Sequence, residues 1–423
     1  MANYKGIDYL KNKLALKKMR VNERYKHYEM KNIVMDFNIS TPPELQLWMG
    51  TLGWCGKAVD SLADRISFRE FDNDVLGMNE IFNMNNKDIM VDSAVLGALI
   101  TSCDFIYISA DADGYPRLRV IDGGHATGVL DPITNLLREG YAVLEFDDND
   151  RPILEAHFMV GSTAIYEKGR LVSIVQNDAP YPLLVPIINR PDAKRPFGHS
   201  RISRACMSLV GSAVRTVKRS EIAAEFYSYP QKYILGMDEN AEAMDKWRAT
   251  MSSMLRIDKD EDGDRPVVGQ FTTVSMTPHS EQLRMFAGLF AGETGLTLDD
   301  LGFPSQNPSS SEAIKSSHES LRLTARKSQK TMGVGLVNAG YLAACVRDKT
   351  PYLRSRIYET IPKWNPIFEP DAASLSLIGD GAIKINQAIP GYFTAETLRD
   401  LTGIEGNDNG GLFSIDFTGG DEE

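Results

Sequence analysis

Few residues of this 423-residue chain have the types and spacing that chemistry needs. Asp258, Asp260, Asp262 and Gly263 open like a calcium loop, in which alternate carboxylates wrap a hard cation. The twelfth position is Gly269, where a bidentate Glu belongs, and Pro266 interrupts the run. With Asp264, these residues read instead as an acidic solvated turn. The histidines (His27, His125, His157, His199, His279 and His318) show neither HxxxH nor HExxH spacing, so no local zinc site is expected. Cys55, Cys103, Cys206 and Cys345 are widely spaced without a CxxC pair and read as buried, reduced thiols. There is no GxxxxGK[ST] phosphate cradle and no GxSxG nucleophile elbow. No catalytic group, metal or cofactor is expected.

Two stretches bear on nucleic acid. Between Ala193 and Ser220 no acid occurs, and Arg201, Arg204, Arg215, Lys218 and Arg219 fall together at about 100° per residue. Ile202, Cys206, Leu209, Val210, Ala213 and Val217 mark the opposite face, and Ser200 offers an N-cap. A helix from Ser200 to Phe226 is roughly 40 Å long at about 1.5 Å per residue, slightly more than one turn of duplex DNA. Such a helix could brace a DNA-sized channel. The second stretch is the uncharged run Ser305, Gln306, Asn307, Pro308, Ser309, Ser310 and Ser311, with Lys315 one turn further on. Small polar side chains touch phosphates weakly and release them, whereas arginines would grip.

Positioning these residues is a chain of mixed character. It carries 43% hydrophobic residues, enough for a substantial core, and a net charge of -11 that argues against a surface gripping nucleic acid all over. Much of the negative charge follows Glu369, while 193–220 and 313–330 are net basic. No apolar run is long enough for a membrane span, and the charged N-terminus is no secretory leader, so a cytoplasmic chain without membrane contact is expected. Helices are expected over 3–29 (exposed and amphipathic, with Leu10, Leu14 and Met19 periodic), from Thr41 to Leu62, and from Met78 to Leu99. From Cys103 the period becomes two, and turn sequences separate the strands of one antiparallel meander. Tyr181 to Asn189, with Pro182 and Pro186, reads as an extended connector. Tyr233 to Leu235 and Val267 to Val274 read as strands around a helix over 241–255. Thr277 with Pro278 opens a further helix whose stripe is Leu283, Phe286, Leu289 and Phe290 and which stops by Gly295. Ser309 with Glu312 forms a capping box for a long helix to Arg347, kinked near Gly333. An irregular stretch from Pro362, a strand at Ser374 to Ile378 and a small helix at Thr394 to Leu401 complete the reading.

The phrase PFGHSRISRACMSLVGSAVRTVKRSEIAAEFYSYPQKY, the helix end FAGETGLTLDDLGF and the loop NPSSSEAI resemble the portal (head-to-tail connector) proteins of long-tailed double-stranded DNA bacteriophages. The resemblance is firm over Tyr181 to Arg347 and weaker at both ends. It implies an α+β portal fold: a wing of helices and β meander (1–180), a connector and first stem helix (181–226), a clip (227–276) and a second stem helix (277–302). A channel loop with a kinked long helix (303–347), a C-terminal part of the wing (348–390) and a small acidic crown or tail (391–423) follow. It further implies a homo-oligomeric ring of twelve copies at one capsid vertex of the virion, assembled in the host cytoplasm, that passes double-stranded DNA without sequence specificity. Partners would be the terminase large subunit, major capsid and scaffolding proteins, and head-tail adaptors. Ser305 to Ser311 and Lys315 would line the DNA channel, and Tyr233, Asp258, Asp260, Asp262 and Asp264 would dock partners. The alternatives are a DNA-binding nuclease accessory protein, which would need clustered carboxylates for two metals, and a capsid-associated adaptor.

Overall fold

Where the periodicity changes at Cys103, the backbone passes from helix to sheet in a computed structural model of the chain. The structure describes residues 4–35, 50–149, 151–228, 232–235, 267–270, 275–304, 311–368, 370 and 372–404. Helix α1 (Ile7–Tyr28) comes first, and α2 (Trp54–Ala63) follows a non-helical 50–53. Of the helix expected from Thr41 to Leu62, 54–62 are helical and 50–53 are not, while 41–49, with Leu45, Leu47 and Trp48, lie outside the described residues. An unforeseen strand, β1 (Phe68–Asp72), comes next. The expected Met78 to Leu99 helix is two, α3 (Met78–Met84) and α4 (Lys87–Thr101), because Asn86 adopts left-handed backbone (φ 51) that asparagine tolerates.

The expected single meander is two sheets. Strands β2 (Cys103–Ala110), β3 (Pro116–Ile121), β4 (Ala126–Leu130), β5 (Leu137–Phe146), β6 (Pro152–Met159), β7 (Ser162–Glu167), β8 (Arg170–Gln176) and β9 (Leu184–Ile188) follow in order. β4 to β8 form a five-stranded meander, while β3, β2 and β9 form a separate sheet with β2 central. The segment read as a connector is therefore strand β9, with Pro186 opposite Phe105. Proline is tolerated there because β9 pairs on one side only. All five β9 residues are buried, so no alternation marked it in the sequence.

The chain then runs through α5 (Arg204–Ser228), the antiparallel pair β10 (Lys232–Leu235) and β11 (Val267–Gln270), and α6 (Thr277–Thr294). Gly295 ends α6 in left-handed backbone, as expected. Thr277 is its first residue rather than its cap, and Leu289 is exposed instead of joining the apolar stripe. A short α7 (Ser311–Ser317) leads through His318 to α8 (Glu319–Arg347). The helical interruption falls at His318, and α8 runs unbroken through Gly333. Its glycines serve contact: a Cβ would stand 2.6 Å from the Pro362 Cγ at Gly333, 2.7 Å from the Pro186 oxygen at Gly335 and 2.7 Å from the Met78 Sδ at Gly340. Removing three side chains lets α8 lie directly on β9, α3 and the last strand, β12 (Ile361–Trp364). β12 pairs with β1 and seats Trp364 edge-on to Phe68, in a stretch expected to be irregular. The strand expected at Ser374 belongs to α9 (Ala372–Ala388), since a short apolar run cannot distinguish strand from helix. The final α10 (Ala395–Thr402) is capped by Thr394, whose Oγ1 accepts from Thr397 N at 3.2 Å.

α1 is tied down more firmly than its composition suggested. Leu10 and Leu14 pack on Tyr141 and Val143, while Met19, expected in the stripe, is exposed and Val21 is buried instead. Buried Glu139 accepts from the backbone nitrogens of Lys5 (2.7 Å) and Gly6 (2.9 Å), placing negative charge at the positive helix end. The buried Lys17 ammonium lies 5.1 Å above the Phe105 ring, a cation–π contact, and burial lowers its pKa.

Gly335→Ala tests the close approach of α8. Alanine improves helix propensity by about 1 kcal/mol, yet its methyl would press on Pro186 and Ile187. Overpacking typically costs about 1–3 kcal/mol. Thermal unfolding should therefore show a lower midpoint; a raised one would mean that propensity outweighs contact.

Candidate nucleic-acid interface

Helices α5 and α6 lie against one another, and the start of α5 anchors the pair to the body. Ser203, not Ser200, caps α5: its Oγ accepts from Cys206 N at 3.2 Å. Ser200 instead donates to Ile100 O at 2.6 Å and accepts from Ile202 N. The helix consequently begins at Arg204, three residues later than expected. Arg201 precedes it and turns inward, where its guanidinium donates to the carbonyls of Thr294, at the end of α6, and Ala58, in α2. Burial holds that guanidinium down to about 10. Ser203 Oγ adds a bond to Glu293 at 2.8 Å, and Trp54 meets Phe290 at 5.6 Å between ring centres. Further along, Thr216 Oγ1 donates to Gln282 Oε1 at 3.1 Å.

The expected five-residue basic face is therefore smaller. Arg204 and Arg219 are exposed, and Arg215 is half-buried with its Nη2 on Ser212 Oγ at 3.0 Å. Lys218 is buried, and Arg201 is a structural tie; neither belongs to an open face. On the other side Ile202, Cys206, Val210 and Ala213 are buried as expected, whereas Leu209 and Val217 are only partly covered.

What the sequence kept apart, the fold brings together. A recess of about 540 Å³ is lined by Ser200 and Arg201 from the first basic segment and by Lys327 and Lys330 from the second. Arg190 joins them from the connector, with its backbone N–H bonded to Thr331 Oγ1 at 3.2 Å. No motif surrounds Arg190, so only the tertiary structure reveals it. Asp192, bonded to His199 at 2.6 Å, and Glu293 also line the recess, which makes it mixed in charge rather than purely anion-seeking.

No protein-family model matches the chain. In sequence it is 23% identical over 329 residues to the portal protein of Mycobacterium phage L5, covering 73% of this chain and 67% of that one. In sequence, then, the chain is similar to a phage portal protein. Among solved structures, the virion of a native gene transfer agent particle contains a chain at TM-score 0.46 and the neck of that particle, computed with C12 symmetry, one at 0.47. Both are 12% identical and cover 83% of this chain and 90% of the other.

Lys315 lies on exposed α7, and its Nζ donates to Ser374 Oγ of α9 at 3.3 Å. Ser311 is the first residue of α7. Ser305, Gln306, Asn307, Ser309 and Ser310 lie outside the described residues, as do Asp258, Asp260, Asp262 and Asp264. Tyr233 is placed by its backbone in β10, opposite Gly269. Among the described residues no helix is long and apolar enough to cross a membrane.

Arg201→Ala would leave the Thr294 carbonyl at the end of α6 without its donor, while the Ala58 carbonyl keeps its bond within α2. An unsatisfied buried group costs about 1–3 kcal/mol, and a loss of that size is expected in denaturant unfolding. Arg204→Ala, at an exposed site, should change stability by no more than about 0.5 kcal/mol. Similar small effects at both would return Arg201 to the exposed face.

Proposed function

We propose that this chain is a portal protein, the subunit of a ring of twelve copies at one capsid vertex of the virion, assembled in the host cytoplasm. The ring is the conduit through which double-stranded DNA enters and leaves, held without sequence specificity. It docks the terminase large subunit during packaging and head-tail adaptors afterwards, amid major capsid and scaffolding proteins. The observation that carries this reading is the sequence likeness to the L5 portal protein across most of both chains.

The geometry of the described residues is compatible with a ring subunit. On this reading α5 and α6 are the stem, β10 and β11 belong to the clip, and the helices and sheets before α5 with β12 make the wing. A closed ring requires two different faces on every copy, since its interfaces are heterologous. The stem offers unlike flanks: Arg204 and Arg219 exposed on α5, Met285 and Leu289 exposed on α6. Its work is mechanical rather than catalytic. The channel loop is the uncharged run Ser305 to Ser311, which lets DNA slide where a ring of cations would hold it.

Two measurements test the proposal. Native mass spectrometry of the purified protein should find a closed ring of about twelve copies by symmetry closure, and a stable monomer or dimer under assembly conditions would defeat the reading. Ser310→Arg with Ser311→Arg should leave the ring intact but slow DNA packaging into empty proheads with wild-type terminase. The defect should grow as salt is lowered, because phosphate contacts strengthen. Packaging at the parental rate in low salt would remove the loop from the channel.

A further inference from the structure

Between α8 and the stretch that ends in β12 lies a groove of about 650 Å³. Its floor is apolar, built by Val334, Pro362 and Trp364, with Ile361 exposed beside them. The charged groups that line it are Arg326, Lys330 and Arg354, and no Asp or Glu is among its lining residues. Arg354 Nη2 is engaged by Thr134 O at 3.2 Å, but its Nε is buried without a hydrogen-bond partner among the described residues. Such a groove fits an extended segment that combines apolar side chains with carboxylates.

The chain itself carries a segment of that chemistry. After Arg399 there is no Lys or Arg; Phe413, Ile415 and Phe417 alternate with small or acidic residues, and the sequence closes on Asp421, Glu422 and Glu423. It also departs from the right place. α10 is clamped to the strand beneath by Asp400, which accepts from Lys363 Nζ of β12 at 2.6 Å and from Arg69 of β1. Gly403 lies against Pro366, two residues beyond Trp364 of the groove, so closely that a Cβ there would stand 2.9 Å from the proline Cδ. At about 3.3 Å per extended residue, residues 405–423 reach the whole groove. Chemistry rather than reach selects the site.

We infer that the acidic, aromatic segment 412–423 docks in the groove between α8 and β12 of its own chain, Phe413, Ile415 and Phe417 on the apolar floor and the terminal carboxylates against Arg326, Lys330 and Arg354. The contact is an intramolecular latch that covers an apolar surface and neutralises three cations; an acidic partner segment competing for the groove would release it. It does not depend on the portal reading, because ring formation and groove occupancy are separate readouts.

The test uses the full chain with Phe413→p-benzoylphenylalanine, irradiated and mapped by mass spectrometry. Adducts on peptides containing Val334 or Ile361 to Trp364, within one chain, are expected. Arg326→Glu with Lys330→Glu should cut their yield roughly tenfold, and adding Asp421→Lys, Glu422→Lys and Glu423→Lys should restore it. Both arginine and lysine positions are exposed, so circular dichroism should show unchanged folding; if it does not, Arg326→Gln with Lys330→Gln replaces the pair. Adducts only on other surfaces, adducts joining two chains, or a yield indifferent to charge reversal would each overturn the latch.

Discussion

The direct seating of α8 on β9, β12 and α3 is the contact on which the rest of the described structure depends. Helices normally pack 8–10 Å apart because side chains separate their backbones. In α8 the absence of a side chain at Gly333, Gly335 and Gly340 removes that spacing where Pro362, Pro186 and Met78 approach. The intrinsic cost of glycine in a helix, about 1 kcal/mol each, is offset by burial of the helix's other residues. From Met332 to Cys345 nearly every residue of α8 is covered, including Tyr341 and Asn338. Through this helix the three-stranded sheet, the β1–β12 pair and the N-terminal helices share one core.

Charge in this molecule acts mainly as a fastener. Arg201 joins the carbonyl end of α6 to α2, Arg24 donates to Thr101 O at 2.7 Å, and Lys17 sits above Phe105. Arg69 and Lys363 together hold Asp400 of α10, the carboxylate kept below its usual range because their hydrogen bonds outweigh its burial. Arg201 and Arg24 thus satisfy carbonyls at helix ends, Arg69 and Lys363 neutralise a carboxylate, and Lys17 rests on an aromatic face. The consequence for function is that the exposed positive charge is narrower than the composition of 193–220 suggests. Within that segment it is carried by Lys194, Arg195, Arg204 and Arg219, and around the recess by Arg190, Lys327 and Lys330.

On the function proposed above, that distribution suits a channel element better than a clamp. A protein that holds DNA needs many phosphate contacts and becomes strongly salt-dependent, whereas a conduit needs few and weak ones. With net charge -11 and paired basic residues, this chain falls on the weak side of that balance.

Read alone, the sequence determined the elements whose signals are local. The two-faced helix around Val210, the turn to period two at Cys103, the strand at Tyr233–Leu235, the glycine stop of α6 and the small helix expected from Thr394 to Leu401 all follow from signals within a few residues. The resemblance carried by 181–347 likewise needed no coordinates, and comparison with the L5 portal protein agrees with it. Only the tertiary structure decided features that depend on distant partners. Pro186 lies in a strand because β2 supplies its pairing on one side and α8 its cover. Gly333 marks a close contact, not a break, because Pro362 lies above it. Arg201 left the basic face because two carbonyls from α2 and α6 converge on it, and Arg190 joined Lys327 because the connector folds back over α8. Periodicity records which side of an element is apolar, but the neighbour that covers that side, and the polar groups it brings, come from residues far away in the chain.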